Sequence, residues 1–192
     1  MSIDDLAELT DMSTMFELSN TYATNQAAIY TPNGTSVPYI SYVCNHASGY
    51  HETLAEYYVE TYGVTLIEIG TCLYNCHSFA WYNTLASNQA WIPDPSVYMT
   101  DGSYTQVLNG TIGSSGVSVK TGDVIFYGSC SDLKSAHSAK MISNGTGVPI
   151  ANTYVYSKWG ACGVYKHIAV NVPEAYDTSI ISAWHLAVEE EE

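Results

Sequence analysis

The chain has 192 residues and a mass of 20.9 kDa, the size of one domain with its own buried core. Five Lys and Arg against 19 Asp and Glu give a formal charge of −14, which repels phosphate backbones and excludes nucleic-acid binding. With 46% hydrophobic and only 12% charged residues, plus 17 tyrosines, the composition is typical of a β-rich secreted protein.

The termini give little targeting information. No apolar run reaches the roughly 18 residues that a membrane span needs, so the sequence predicts none. The opening stretch "MSIDDLAELTDMSTMF" is acidic where an export signal would be basic. Composition favours a secreted or cell-surface protein whose leader has been removed, and a cytoplasmic location stays open. The tail Glu189 to Glu192 is interpreted as a solvated acidic end.

The first third of the chain predicts a helix, a hairpin and a second helix. Apolar residues recur at helical spacing across 4–18. "AAIYTPNGTSVPYISYV" reads as two β-prone runs around a turn at 32–34. Residues 51–62 form the second helix, which Gly63 would end.

The rest of the chain changes from helix to strand. "VTLIEIG" predicts a short strand, "YNCHSFAWYN" a buried helix, and "WIPDPSVYMTD" at 91–101 a structured loop. After it come strand-like runs separated by Gly, Asn and Ser: "SYTQVL", "VSVKTGDVIFYG", "AHSAKMIS", "NTYVYSKW" and "GVYKHIAV". Helices followed by an antiparallel sheet predict a single α+β domain.

Cys76 is the candidate nucleophile. The five cysteines leave at least one thiol unpaired. Asn75 suits a helix N-cap, and a cysteine in the first turn lies at the positive end of the helix dipole, which favours the thiolate. The proton acceptor would be His137, early on the strand "AHSAKMIS".

These blocks together resemble a known superfamily. "YNCHSFAWY", then "GDVIFYG", then "HSAKMIS" is similar to cell-wall amidases and peptidases of the NlpC type and their CHAP-type relatives. With "WIPDPSVYMTDGSY" and "SKWGACGVYKH", it resembles bacterial secreted domains of that papain-like superfamily. The resemblance covers about 64–170, leaving 1–63 and 171–192 as extensions.

The resemblance implies a papain-like fold, with a cysteine-bearing helix packed on an antiparallel sheet, and assigns roles by position. Cys76 becomes the nucleophile and His137 the general base and acid, while Asn75 stands where the family has an acidic residue. His77 and Ser78 replace the small Ser-Gly pair that usually follows the cysteine. A third polar residue that orients the histidine falls on the next strand, where the candidates are Asn152, Ser157 and Lys158; His167 is a further matched residue of unassigned role.

Other interpretations of the cysteines compete with this one. Cys76 alone is most simply an inert buried thiol. A disulfide to Cys72 has awkward geometry, and "CLYNCH" has one spacer residue too many for haem attachment. Zinc held by Cys72, Cys76 and His77 lacks a second ligand cluster. His46, His51 and His185 are interpreted as surface residues.

The sequence thus predicts a cysteine hydrolase that cleaves an amide bond through an acyl-enzyme. Peptidoglycan stem peptides or a related peptide are the substrate that the resemblance implies, with no metal and no cofactor. One alternative is a non-catalytic papain-like module that binds a wall component or a protein partner. Another is an effector or toxin that deamidates or cleaves a protein with the same Cys76 and His137 chemistry. The oligomeric state is not decided by the sequence.

Overall fold

The computed structural model describes residues 28–115, 119–144 and 147–187. The helix predicted over 4–18 and the acidic tail lie outside this part of the chain. The predicted hairpin is confirmed: β1 (Ile29–Tyr30) pairs antiparallel with β2 (Ser36–Val37). Its turn is closed by the Gly34 N–H, which donates to the Thr31 carbonyl at 2.9 Å.

The predicted second helix and the strand after it are also confirmed. Helix α1 (Tyr50–Tyr62) buries Leu54 and Tyr58 and ends at Gly63, whose φ of 61° is the left-handed conformation that favours glycine. Strand β3 (Thr65–Ile69) follows directly. Within the described residues, no helix has the length and apolar character needed to cross a membrane.

The 91–101 segment departs from the prediction. It was expected to be a loop, but Ser96–Thr100 forms a short helix, α2. The Asp94 carboxylate accepts the Ser96 N–H at 2.8 Å, so residues that look like turn formers in the sequence start a helix instead.

The second half of the chain forms most of a seven-stranded antiparallel sheet, which confirms the α+β prediction. The order across the sheet is β3-β8-β7-β6-β5-β9-β4. A 3₁₀ turn (Ile150–Asn152) precedes β7. The strands that follow β3 along the chain are β4 (Tyr104–Gly110), β5 (Val124–Tyr127), β6 (His137–Met141), β7 (Tyr154–Lys158), β8 (Gly163–Ile168) and β9 (Ile181–Leu186).

Strand β9 was not predicted. The segment 171–192 was expected to be an extension outside the core, yet β9 lies between β5 and β4 and is an interior strand of the sheet. Ile181 and Ala183 are fully buried and alternate with half-buried residues. The period-two pattern of "ISAWHL" was the available signal.

The sheet has a hydrophobic core on each face, and alternation along the strands decides which side chains reach which core. The α1 core contains Leu54 and Tyr58 of α1, and the strands contribute Ile125, Tyr127, Ala139 and Met141. The opposite core, here called the Trp81 core, contains Val124, Phe126, Trp81, Ile92 and Tyr98. His137 therefore shares a face with Ala139, whereas Ser138 and Lys140 point to the other face.

The end of β3 packs tightly against the turn between β7 and β8. A β-carbon at Gly70 would overlap the backbone carbonyl oxygens of Ala161 and Cys162. Backbone atoms cannot move aside as a flexible side chain can, so only glycine fits here.

We expect Gly70→Ala to lower the free energy of unfolding by about 3 kcal/mol or more, since the added methyl group forces the two segments apart. Gly113→Ala is the matched control, because its β-carbon would meet nothing closer than 3.9 Å. Urea unfolding measures both. Equal stability of the two variants would contradict this packing.

Candidate functional site around Cys76

Asn75 fixes the start of the helical segment that carries Cys76. Its side-chain oxygen accepts the Ser78 N–H at 3.0 Å, which confirms the predicted cap. The same side chain donates to the Ile92 carbonyl at 2.8 Å and accepts the Ile92 N–H at 3.2 Å. Cys76 and His77 form an α-helical turn that continues as the π-helix Ser78–Tyr82. One buried amide thus aligns the cysteine and anchors the following loop.

The Cys76 thiol is buried, with 5% of the residue exposed. Burial raises its pKa to about 11, while the backbone N–H groups of Ser138, His77 and Cys76 itself and the Lys158 ammonium act in the opposite direction. With this pKa, Cys76 is a neutral thiol at neutral pH. The groups that favour the thiolate already surround the sulfur.

The Ser138 N–H can face Cys76 because strands β6 and β7 separate at this point. They pair only at Lys140 with Tyr156 and at Met141 with Val155. Ser138 is thus not paired with β7, and its backbone N–H favours the Cys76 thiolate.

His137 is fully buried but lies on the α1 face of the sheet. Its ring stacks on Tyr176, with centroids 4.0 Å apart, and lies 5.5 Å from the Tyr127 ring. Both ring nitrogens lack a hydrogen-bond partner among the described residues. Burial, with smaller contributions from His167 and His77, holds its pKa well below the usual value. The structure therefore shows no hydrogen bond between Cys76 and His137.

The candidates for the third residue do not orient His137 either. The Ser157 hydroxyl lies 2.6 Å from His167 Nε2 and accepts the Trp159 indole N–H at 2.8 Å. Asn152 belongs to the 3₁₀ turn ahead of β7 rather than to the strand. His167 is thus the histidine that Ser157 positions, and burial lowers its pKa to about 4.

Lys158 is fully buried on the opposite face from Ser157. Its ammonium donates to the carbonyls of Gly160 at 2.6 Å and Thr71 at 2.9 Å, and it lies 5.1 Å from the centre of the Tyr74 ring. Burial lowers its pKa to about 8, although the thiols of Cys162 and Cys76 partly offset this shift. An ammonium has three donors, and these two carbonyls accept two of them.

Two residues of this cluster were missed by sequence reasoning. Cys162 is a second buried thiol, with its pKa raised to about 11 by burial and opposed by Lys158. Its position between alanine and glycine in the tight turn "GACG" was a weak signal. Tyr176 is buried beside both thiols, and burial raises its pKa well above its usual value. It comes from an irregular segment where no periodicity points to it.

His77 and Ser78 are packed into the core. His77 Nδ1 lies 2.8 Å from the Ser138 hydroxyl, which also accepts the Trp81 indole N–H at 2.9 Å. Ser78 and Asn88 exchange side-chain hydrogen bonds at 2.8 and 3.1 Å. The two side chains that follow Cys76 in the sequence are therefore held by hydrogen bonds in the core.

The metal-ligating residues lie elsewhere. Cys72 forms a disulfide with Cys44 rather than with Cys76, and His77 is held by Ser138, so the set Cys72, Cys76 and His77 is not assembled. His46 and His51, expected at the surface, are half-buried beside that disulfide. One nitrogen or sulfur from each of Cys44, His46, His51 and Cys72 lies within 4.8 Å of the others.

We expect Asn75→Ala to lower the free energy of unfolding by about 2–3 kcal/mol, since it removes a helix cap and leaves the Ile92 backbone groups unpaired in the core. Asn109→Ala, at an exposed position of β4, is the matched control and should change it by less than about 0.5 kcal/mol. Urea unfolding followed by circular dichroism measures both. A loss at Asn75 no larger than at Asn109 would show that the amide does not anchor the segment.

Acid should destabilise the fold through its buried histidines. Burial lowers the folded-state pKa of His77 and His167 from 6.5 to about 4. Between pH 6.5 and pH 4 these histidines are therefore protonated in the unfolded chain but neutral in the folded chain. Stability is therefore lost as the pH falls from about 6.5 towards 4, by about 2 kcal/mol per histidine between pH 7 and 5. Urea unfolding at both pH values measures it. His77→Gln should reduce the loss, and an unchanged acid dependence would contradict the assignment.

Comparison of the chain with known protein families, with curated proteins and with solved structures finds no match. The sequence resemblance to papain-like amidases remains a prediction.

Proposed function

We propose that the protein is a papain-like cysteine hydrolase that cleaves an amide bond with Cys76 as its nucleophile. The observation that carries the proposal is the position of Cys76 at the start of a helical segment capped by Asn75, where backbone N–H groups and Lys158 favour the thiolate. Positive groups that converge on a thiol at a helix start are what a reactive thiolate requires.

Lys158 is the proton carrier in this proposal. Its charge favours the Cys76 thiolate, whereas both ring nitrogens of His137 lack a hydrogen-bond partner among the described residues. With its pKa lowered to about 8, Lys158 can exchange a proton near neutral pH. The family resemblance assigns this work to His137, so Lys158 replaces it here.

The reaction follows the usual acyl-transfer sequence. Lys158, in its neutral amine form, takes the thiol proton and becomes an ammonium, and the thiolate attacks the substrate carbonyl carbon. The backbone N–H groups next to Cys76 stabilise the oxyanion, and the Lys158 ammonium returns the proton to the leaving amine. Water then attacks the thioester, releases the acid and restores the thiol.

The substrate class comes from the sequence resemblance and from charge. Peptidoglycan stem peptides, or related peptides with free amines, would be attracted by the charge of −14. A protein-directed protease or deamidase would use the same thiol chemistry on another substrate.

A non-catalytic papain-like module is the second candidate. The buried thiol and the unpartnered nitrogens of His137 favour it, because no residue of 152–158 orients that histidine. A groove of about 510 Å³ between α1 and β3 is lined by Ala55, Val59, Leu66 and Ile69, and neither Cys76 nor His137 borders it.

Alkylation by iodoacetamide against pH separates the two candidates. In a Cys130→Ser, Cys162→Ala background, Cys76 is the one free thiol among the described residues. We expect Lys158→Met to raise the apparent pKa of Cys76 labelling by about one unit or more, because it removes the charge that favours the thiolate. His137→Gln should leave that pKa unchanged.

The companion measurement is turnover. Purified muropeptides are incubated with wild type and with Cys76→Ala, and newly released amines are quantified by mass spectrometry. Two results together would favour the non-catalytic module. Cys76 would be labelled slowly at every pH and equally in wild type and Lys158→Met, and no product would depend on Cys76.

A further inference from the structure

We propose that Cys44, His46, His51 and Cys72 form a binding site for Zn²⁺ when the two cysteines are reduced. Their ligand atoms lie within 4.8 Å of one another. A tetrahedral zinc site with bonds of 2.0–2.3 Å places its ligand atoms about 3.3–3.8 Å apart. Only small side-chain movements separate the observed cluster from that geometry.

The strongest evidence is the hydrogen bonding of His51. Its Nδ1 lies 3.1 Å from the Ala161 carbonyl oxygen, which can only accept, so Nδ1 carries the proton. In the neutral imidazole only one ring nitrogen carries a proton. The other nitrogen, Nε2, therefore presents a bare lone pair.

That lone pair is directed at a sulfur. His51 Nε2 lies 3.1 Å from Cys44 Sγ, and in the disulfide that sulfur has no proton to donate. The Nε2 lone pair and a sulfur without a proton cannot form a hydrogen bond with each other. A cation bound between them would accept electron density from both atoms. Zinc-bound histidines commonly donate their second nitrogen to a backbone carbonyl, as His51 does to Ala161.

His46 completes the set from the other side. Its ring stacks on Tyr50 with centroids 4.1 Å apart and stands edge-on to His51 at 5.2 Å. One of its ring nitrogens lies within 4.8 Å of the other three ligand atoms. Cys44, His46 and His51 remain half-buried, which leaves a path for an ion to enter.

The donor set selects the metal. Two thiolates and two imidazoles favour Zn²⁺ over Mg²⁺ or Ca²⁺, which take oxygen ligands. The disulfide and the metal site exclude each other. A phosphine reductant with one water converts the disulfide into two thiols and the phosphine oxide, and Zn²⁺ then displaces the two thiol protons. The bound centre has no net charge.

The site would join three segments: the loop before α1, the first turn of α1, and the loop after β3. Cys72 lies in the loop that leads into Cys76, and Ala161 lies in the turn that holds Lys158. The metal would therefore fix the surroundings of the candidate nucleophile without contacting it.

The test uses the full-length chain, made metal-free and reduced with a phosphine, and titrated with Co²⁺ as a spectroscopic substitute for Zn²⁺. We expect one equivalent of Co²⁺ to give two absorption signals: the intense visible bands of a tetrahedral Co²⁺ ion and a near-ultraviolet charge-transfer band from the thiolates. One equivalent of Zn²⁺ should abolish both and raise the thermal unfolding midpoint. The oxidised chain should show neither band.

Variants assign the ligands. His46→Asn and His51→Ala should each weaken Co²⁺ binding by more than about tenfold, since losing a ligand costs at least as much as losing its supporting contact. Cys130→Ser and His185→Gln are the controls and should bind as wild type does. His46→Asn changes a half-buried loop position, so it tests the site even if Cys72→Ser fails to fold. No bands in the reduced wild type, or bands unchanged in His46→Asn and His51→Ala, would overturn the proposal.

Discussion

The buried ammonium of Lys158 is the interaction on which this part of the structure depends. Taking a charged amine out of water costs several kcal/mol unless its donors are satisfied. The carbonyls of Thr71 and Gly160 provide the acceptors, one from the loop before Cys76 and one from the turn between β7 and β8. The two segments must therefore meet, and Gly70 permits their contact because it has no side chain.

Strand alternation decides which side chain of β6 faces the helical segment that begins at Cys76. The sequence indicated correctly that Cys76 begins a helix and that His137 begins a neighbouring strand. Which face a strand residue occupies depends on register, and a shift of one residue reverses it. Here Ser138, not His137, faces the helical segment, as its contacts with His77 and Trp81 show. Linear spacing does not contain that information.

Local signals predicted much of the rest. The helix ended by Gly63, the β1–β2 hairpin and strand β3 follow from capping, turn residues and periodicity, all of which act over a few residues. The interior position of β9 depends on pairing with β5 and β4 from far along the chain. The cluster of Cys44 and Cys72 is likewise joined across 28 residues. Cys44, His46 and His51 lie close together in the sequence, but nothing in the sequence indicates that Cys72 joins them.

The candidate nucleophile and the proposed metal site share one turn. Ala161 accepts the proton of His51, and Gly160 accepts that of Lys158, so both side chains are positioned by adjacent carbonyls. Thr71, the other acceptor for Lys158, precedes Cys72 directly. If Zn²⁺ replaces the disulfide, the Cys44 and Cys72 sulfurs must move apart to about 3.8 Å. Cys72 is the residue after Thr71, which accepts a hydrogen bond from the Lys158 ammonium. A change in the bonding of Cys44 and Cys72 would therefore alter the position of Lys158 and its electrostatic effect on Cys76.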